Sequence, residues 1–140
     1  MHKLKEVMSP DVQVIGPDET IREAAQQMLK GKFGMLPVGE NGNLVGAISD
    51  RDIAIRVVAG DKDPGTTRVR DIMSEGIVWA YEDESVADAA RLMSEHQIRR
   101  LPVVNADKLL VGIVALGDFA VESADITAAA QALSEISKPA

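Results

Sequence analysis

The chain has 140 residues, 46% of them hydrophobic and 26% charged, which fits one soluble domain or two half-domains sharing a core. Its 15 lysines and arginines against 22 aspartates and glutamates leave a net charge of −7, which argues against a general binder of nucleic acid or anionic membrane. Cysteine is absent, so disulfides, cysteine metal sites and thiol nucleophiles are excluded, and with 3% aromatics a base-stacking platform is disfavoured. The first residues carry no apolar run behind their charges, and no run is long enough to span a bilayer. A cytoplasmic protein is expected.

An extended lead-in at 12–15 comes first. Thr20-Ile21-Arg22-Glu23 then opens a helix as a capping box. Ile21, Ala24, Ala25, Met28 and Leu29 form its predicted apolar face, and Gly31 is the expected stop. Two strands follow, at 35–38 and 44–48. Asn41-Gly42 between them predicts a hairpin, because both residues tolerate positive φ. A second helix, from Asp50 to about Ala59, places Ile53, Ala54, Val57 and Val58 inward. Residues 61–67 read as a polar linker with Pro and Gly.

The same grammar then recurs. Met8-Ser9 returns as Met73-Ser74, Ala24-Ala25 as Ala89-Ala90, Met28 as Met93, and Leu36-Pro37-Val38 as Leu101-Pro102-Val103, always 65 residues on. One residue further, Leu44-Val45-Gly46 returns as Leu110-Val111-Gly112, and Asp52 as Asp118. The predicted fold class is α/β (α+β), with two β-α-β-β-α repeats packed with pseudo-twofold symmetry plus a C-terminal helix. The boundaries are 1–60, a linker at 61–67, 68–122, and a helix with tail at 123–140. One unit alone is too small to close a core.

The stretch from Gly46 to Asp52 carries the most chemistry. A strand ends, Ser49 sits at the junction, and Asp52 falls in the first turn of the next helix. A helix start with free N–H groups favours phosphate, and a carboxylate suits the two hydroxyls of a ribose. Ser-x-x-Asp is equally a plain capping pattern. Both readings stay open on these residues alone.

The two copies, each with a Leu-Pro-Val strand, together with Asp71-Ile72-Met73-Ser74 and the run from Glu95 to Val104, resemble a tandem cystathionine-β-synthase (CBS) domain pair, or Bateman module. The resemblance implies a regulatory module that binds AMP, ADP or ATP, or else NAD or S-adenosylmethionine, between the copies. Carried over by residue, it implies a ribose site at Ser49 and Asp52, with a weaker counterpart at Asp118, where Ala115 replaces the hydroxyl. It implies phosphate contacts from Arg99 and Arg100, where copy one has the neutral Gly34-Met35. The resemblance implies that the adenine lies against backbone and apolar groups of the lead-in strands, near Val14, Ile15 and Gly16 and near Trp79, Ala80 and Tyr81. On packing grounds, one of Trp79 and Tyr81 is expected inside and the other outside.

No catalytic constellation, metal-ligand cluster or phosphate-cradling glycine loop is present in the sequence. The expected function is a non-catalytic nucleotide sensor with no required cofactor and no metal. A homodimer is expected by resemblance, with a separate regulated protein as a further partner. The alternative is a dimerisation module with a degenerate ligand site.

Overall fold

A computed structural model describes residues 2–117. Asp118 and the predicted C-terminal helix lie outside them. The chain divides into two compact units. One is Gln13–Ile77. The other joins Met1–Val12 to the chain from Val78 onward. We call these the first-repeat and second-repeat units, after the repeat that supplies most of each.

In the first-repeat unit, helix α2 (Ile21–Gly31) is followed by strands β1 (Met35–Glu40) and β2 (Asn43–Ser49), an antiparallel hairpin. Asn41 and Gly42 both take positive φ, 56° and 83°, as the hairpin requires. Ile15 bridges Val38 in parallel on the outer edge of β1. Ile21, Ala24 and Met28 of α2 pack with Leu36, Val38 and Ile48. Ala25 and Leu29, predicted inside, are exposed, so the buried stripe is narrower than the apolar pattern. The helix ends through Lys32, which adopts left-handed φ of 58°. Gly31 is instead the last helical residue, and any Cβ there would collide with the Phe33 ring.

Helix α3 (Asp50–Asp52) runs into a π-helical segment, Ile53–Val58. The wider turn carries the chain further round per hydrogen bond, so Val57 is fully buried while Ala54 and Val58, predicted inward, face outward. The linker is not loose. Thr67 O and Pro64 O accept from Ile21 N and Arg22 N, so it satisfies the first two orphan donors of α2.

The second-repeat unit repeats this plan. Strand β3 (Ala80–Tyr81) pairs in parallel with β4 (Arg100–Val104), which pairs antiparallel with β5 (Leu110–Ala115). Helix α4 (Val86–His96) buries Val86, Ala89, Ala90 and Met93. It too ends through a left-handed residue, Gln97.

The compact units do not coincide with the repeats read along the chain. Helix α1 (Leu4–Val7) and its flanks belong to the second-repeat unit, where Leu4 is fully buried beside Val86 and Met93. His2 O accepts from Val86 N, and Ser9 pairs with Ile113. Residues 67–74 do the same in the first-repeat unit. Val69 is fully buried there, Thr67 O accepts from Ile21 N, and Ser74 pairs with Ala47. Each repeat's leading segment thus completes the unit of the other repeat. Gly46 and Gly112 make this possible. A Cβ on Gly46 would stand 2.7 Å from Ser74 O, and one on Gly112 would collide with the Met8 side chain. Lys5 Nζ lies 3.0 Å from Asp83 Oδ1, and this bond holds the Asp83 carboxyl below the usual carboxylate range.

Candidate functional site

Strand register brings Ser49 opposite Met35 at the end of the β1–β2 hairpin. There Ser49 and Asp52 form a reciprocal capping box. Asp52 N donates to Ser49 Oγ at 3.1 Å, and Ser49 N donates to Asp52 Oδ2 at 2.9 Å. Asp50 N donates to Gly34 O, and Arg51 N donates to Asp50 Oδ1. The expected free N–H groups are therefore all engaged, three of them by the helix's own acidic or hydroxyl side chains. This corrects the phosphate expectation at this helix start. Two carboxylates in the first turn suit the helix dipole and repel an anion.

The box leaves other chemistry available. Ser49 Oγ accepts within it and keeps its own proton to donate. Asp52 Oδ1 is outside it, on a side chain only 18% exposed and 4.0 Å from Arg56 Nε. Arg56 Nη1 donates to Ile72 O at 2.7 Å, which ties the π-helical segment to the exchanged lead-in. Sequence reading missed Arg56, although its i, i+4 spacing from Asp52 is the usual signal for such a pair.

Of the lead-in residues, Ile15 is 1% exposed and its backbone is spent on β1. Its N–H donates to Pro37 O, and its carbonyl accepts from Gly39 N. Gly16 N donates to the Glu19 carboxylate at 2.6 Å. Of the three residues expected against the adenine on this lead-in, that leaves Val14, 42% exposed, with a presented side chain. Its carbonyl accepts from Gln27 Nε2 of α2 at 3.0 Å. Gln27 also escaped the sequence reading, where it was an unremarkable polar residue of an amphipathic helix.

In the second-repeat unit, Ala80 is buried, and Trp79 and Tyr81 are both half-buried. Their rings meet edge to face, 5.0 Å between centroids at 87°. Residues two apart on a strand share a face, so the expected division into one inside and one outside is corrected. Arg100 stands opposite Ala115 in the β4–β5 register, and Arg99 O accepts from Leu116 N at 2.9 Å. The two arginines therefore sit at the strand end equivalent to Ser49, where this repeat lacks the hydroxyl. Each unit holds one half of the predicted chemistry: hydroxyl and carboxylate in one, guanidinium pair in the other. Asp118 lies outside the described residues. Among the described residues no group of three or more His, Asp or Glu is placed to hold a metal. No described helix is long and apolar enough to cross a membrane.

Comparison with known proteins agrees with this architecture. The profile of the CBS domain matches residues 4–59 and 69–125. The CBS domain-containing protein YhcV of Bacillus subtilis is 44% identical over 137 residues, covering 98% of this chain and 96% of that protein. The crystal structure of CBSX2 in complex with AMP superposes with a TM-score of 0.77 at 28% identity, covering 91% of this chain and 99% of that one. The CBS domain pair of protein MJ0100, in complex with 5'-methylthioadenosine and S-adenosyl-L-methionine, gives 0.73 at 31% identity, covering 86% and 94%. With two profile matches spanning most of the chain and a relative matched nearly end to end, this protein belongs to the CBS domain family as a tandem pair.

Proposed function

We propose that this protein is a non-catalytic sensor of adenosine-containing nucleotides, AMP, ADP or ATP, that signals by a conformational or oligomeric shift. In this reading it acts in the cytoplasm on a separate regulated protein and requires no cofactor. Ser49 and Asp52 hold the ribose, Asp118 marks a weaker second site, and Arg99 and Arg100 balance the phosphate. The adenine lies on Val14 or on the Trp79–Tyr81 face. The observation that carries the reading is the Ser49–Asp52 box. It locks the carboxylate in place while leaving Oδ1 and the hydroxyl proton to a ligand. Pre-positioning of this kind lowers the ordering cost of binding. The complexes of CBSX2 with AMP and of MJ0100 with adenosyl ligands support the ligand class. A ligand shifts such a switch only by binding its two states unequally.

Calorimetry and thermal shift with AMP, ADP, ATP, NAD and S-adenosylmethionine test this. At least one is expected to bind and raise the melting temperature. Asp52→Asn keeps an acceptor for the cap but removes the charge, and is expected to weaken binding about tenfold, the loss of one charge-assisted bond. Silence from all five ligands at millimolar concentration would refute the proposal.

A second reading, an interaction module that works through self-association, is favoured by one observation. Leu29 is 80% exposed, Val58 73% and Ile55 55%, all on helical segments of the first-repeat unit.

A further inference from the structure

The lead-in of the first-repeat unit meets α2 through a hydrogen bond that neither the core nor the helix cap needs. Gln27 is half-buried on α2, and its Nε2 donates to Val14 O at 3.0 Å and reaches Gln13 Oε1 at 3.5 Å. A backbone carbonyl only accepts. Reversing the amide would set two oxygens face to face, so Val14 O dictates which way Gln27 points. The amide's acceptor end, Oε1, is directed away from that carbonyl. Around it the polar backbone is largely spent: Ile15 N–H and C=O pair with β1, and Gly16 N–H is on Glu19. Gln13 is exposed beside Val14 with an amide of its own, so the polar group here whose sign the backbone fixes is Gln27 Oε1, an acceptor. The residue 65 positions on is Leu92, which packs against the second-repeat core and offers neither donor nor acceptor.

We propose that Gln27 is a specificity-determining residue. Its Oε1 accepts from the 6-amino group of a purine resting on Val14 and disfavours a purine that carries a 6-oxo group there. This deepens the adenosine-nucleotide reading above and rests on it. In the same pose a 6-oxo purine sets acceptor against acceptor, and offering its N1–H to Oε1 instead requires the ring to shift on Val14, a loss of about tenfold in affinity. The repeat with Leu92 lacks this filter.

The test is calorimetric titration of the full-length protein with AMP and with inosine monophosphate, which differs by a 6-oxo group. Wild type is expected to prefer AMP by about tenfold. Gln27→Leu, which installs the residue of the other repeat, is expected to bring the two affinities within about threefold, mainly by weakening AMP. Gln27→Met gives the same readout should the leucine variant fail to fold. If Gln27 merely holds the lead-in, both ligands weaken together, the ratio stays constant, and the inference is overturned. A wild type that binds AMP and inosine monophosphate equally also overturns it, while leaving the sensor reading intact. A wild type that binds neither overturns both.

Discussion

Gly46 lies in the stretch that resembles a ribose motif, yet its place in the structure is a matter of packing. An added Cβ would stand 2.7 Å from Ser74 O and 3.0 Å from Met73 Sδ, and the backbone carbonyl has no flexible tail to swing aside. Gly46→Ala is therefore expected to cost about 1–3 kcal/mol, read as a lowered urea midpoint. Gly39→Ala is the control. Its nearest neighbour, Asn43 O, is at 3.6 Å, so its effect should stay within about 0.5 kcal/mol. Equal losses at the two glycines would show that the lead-in does not lie against β2. The same scale explains how Ser49 and Asp52 serve two roles. The capping bond uses one carboxylate oxygen and one hydroxyl lone pair, so structural and ligand readings of Ser-x-x-Asp are compatible here. Which donors remained at this helix start was not legible, because Gly34 O, the partner of Asp50 N, comes from a neighbouring segment.

At the scale of elements, the exchanged lead-ins make a prediction that separates chain order from spatial order. Leu4 is fully buried, but in the cluster of Val86, Ala89, Met93 and Leu101. Leu4→Ala is expected to cost about 2–5 kcal/mol through lost burial and a cavity. Hydrogen exchange should locate the damage. Protection is expected to fall in α4 and β5, not in α2, β1 or β2, although Leu4 precedes the latter in the chain. Loss confined to β1 and β2 would contradict the exchange. The elements themselves were largely legible. Thr20 as N-cap and the Asn41-Gly42 turn are local signals and came out as read, whereas Ala25 and Leu29 fall outside the buried stripe of α2 and Lys32, not Gly31, closes it. The π-helical segment was not, because the apolar spacing of Ile53 to Val58 fits an α-helix and only the observed winding turns Val58 outward.

For the whole molecule, the exposed Leu29, Ile55 and Val58 bear on self-association. Large apolar side chains left in water gain by burial between copies. Homodimerisation that covers these side chains is the expectation. Sedimentation velocity on wild type should give a dimer, and Leu29→Glu or Val58→Glu should shift it toward monomer with unchanged circular dichroism. A wild type that sediments as a monomer at tens of micromolar would remove the interaction reading and leave the ligand reading standing. The charge of −7 does not oppose either outcome, because it argues against general binding of polyanions and not against one small nucleotide.

By itself the sequence determined the repeat, its 65-residue period, the Thr20 N-cap, the Asn41-Gly42 turn, and the unequal chemistry of the two copies. Each of these is carried by residue type at short spacing, where backbone geometry leaves few alternatives. Only the tertiary structure decided that residues 2–9 complete the second-repeat unit and residues 67–74 the first, that the start of α3 has no N–H to offer a phosphate, and that Gln27 faces Val14 O. Those outcomes depend on which distant backbone groups find one another. The pairing energy of a carbonyl is the same whichever segment supplies the donor, so residue type and local spacing carry no trace of the choice.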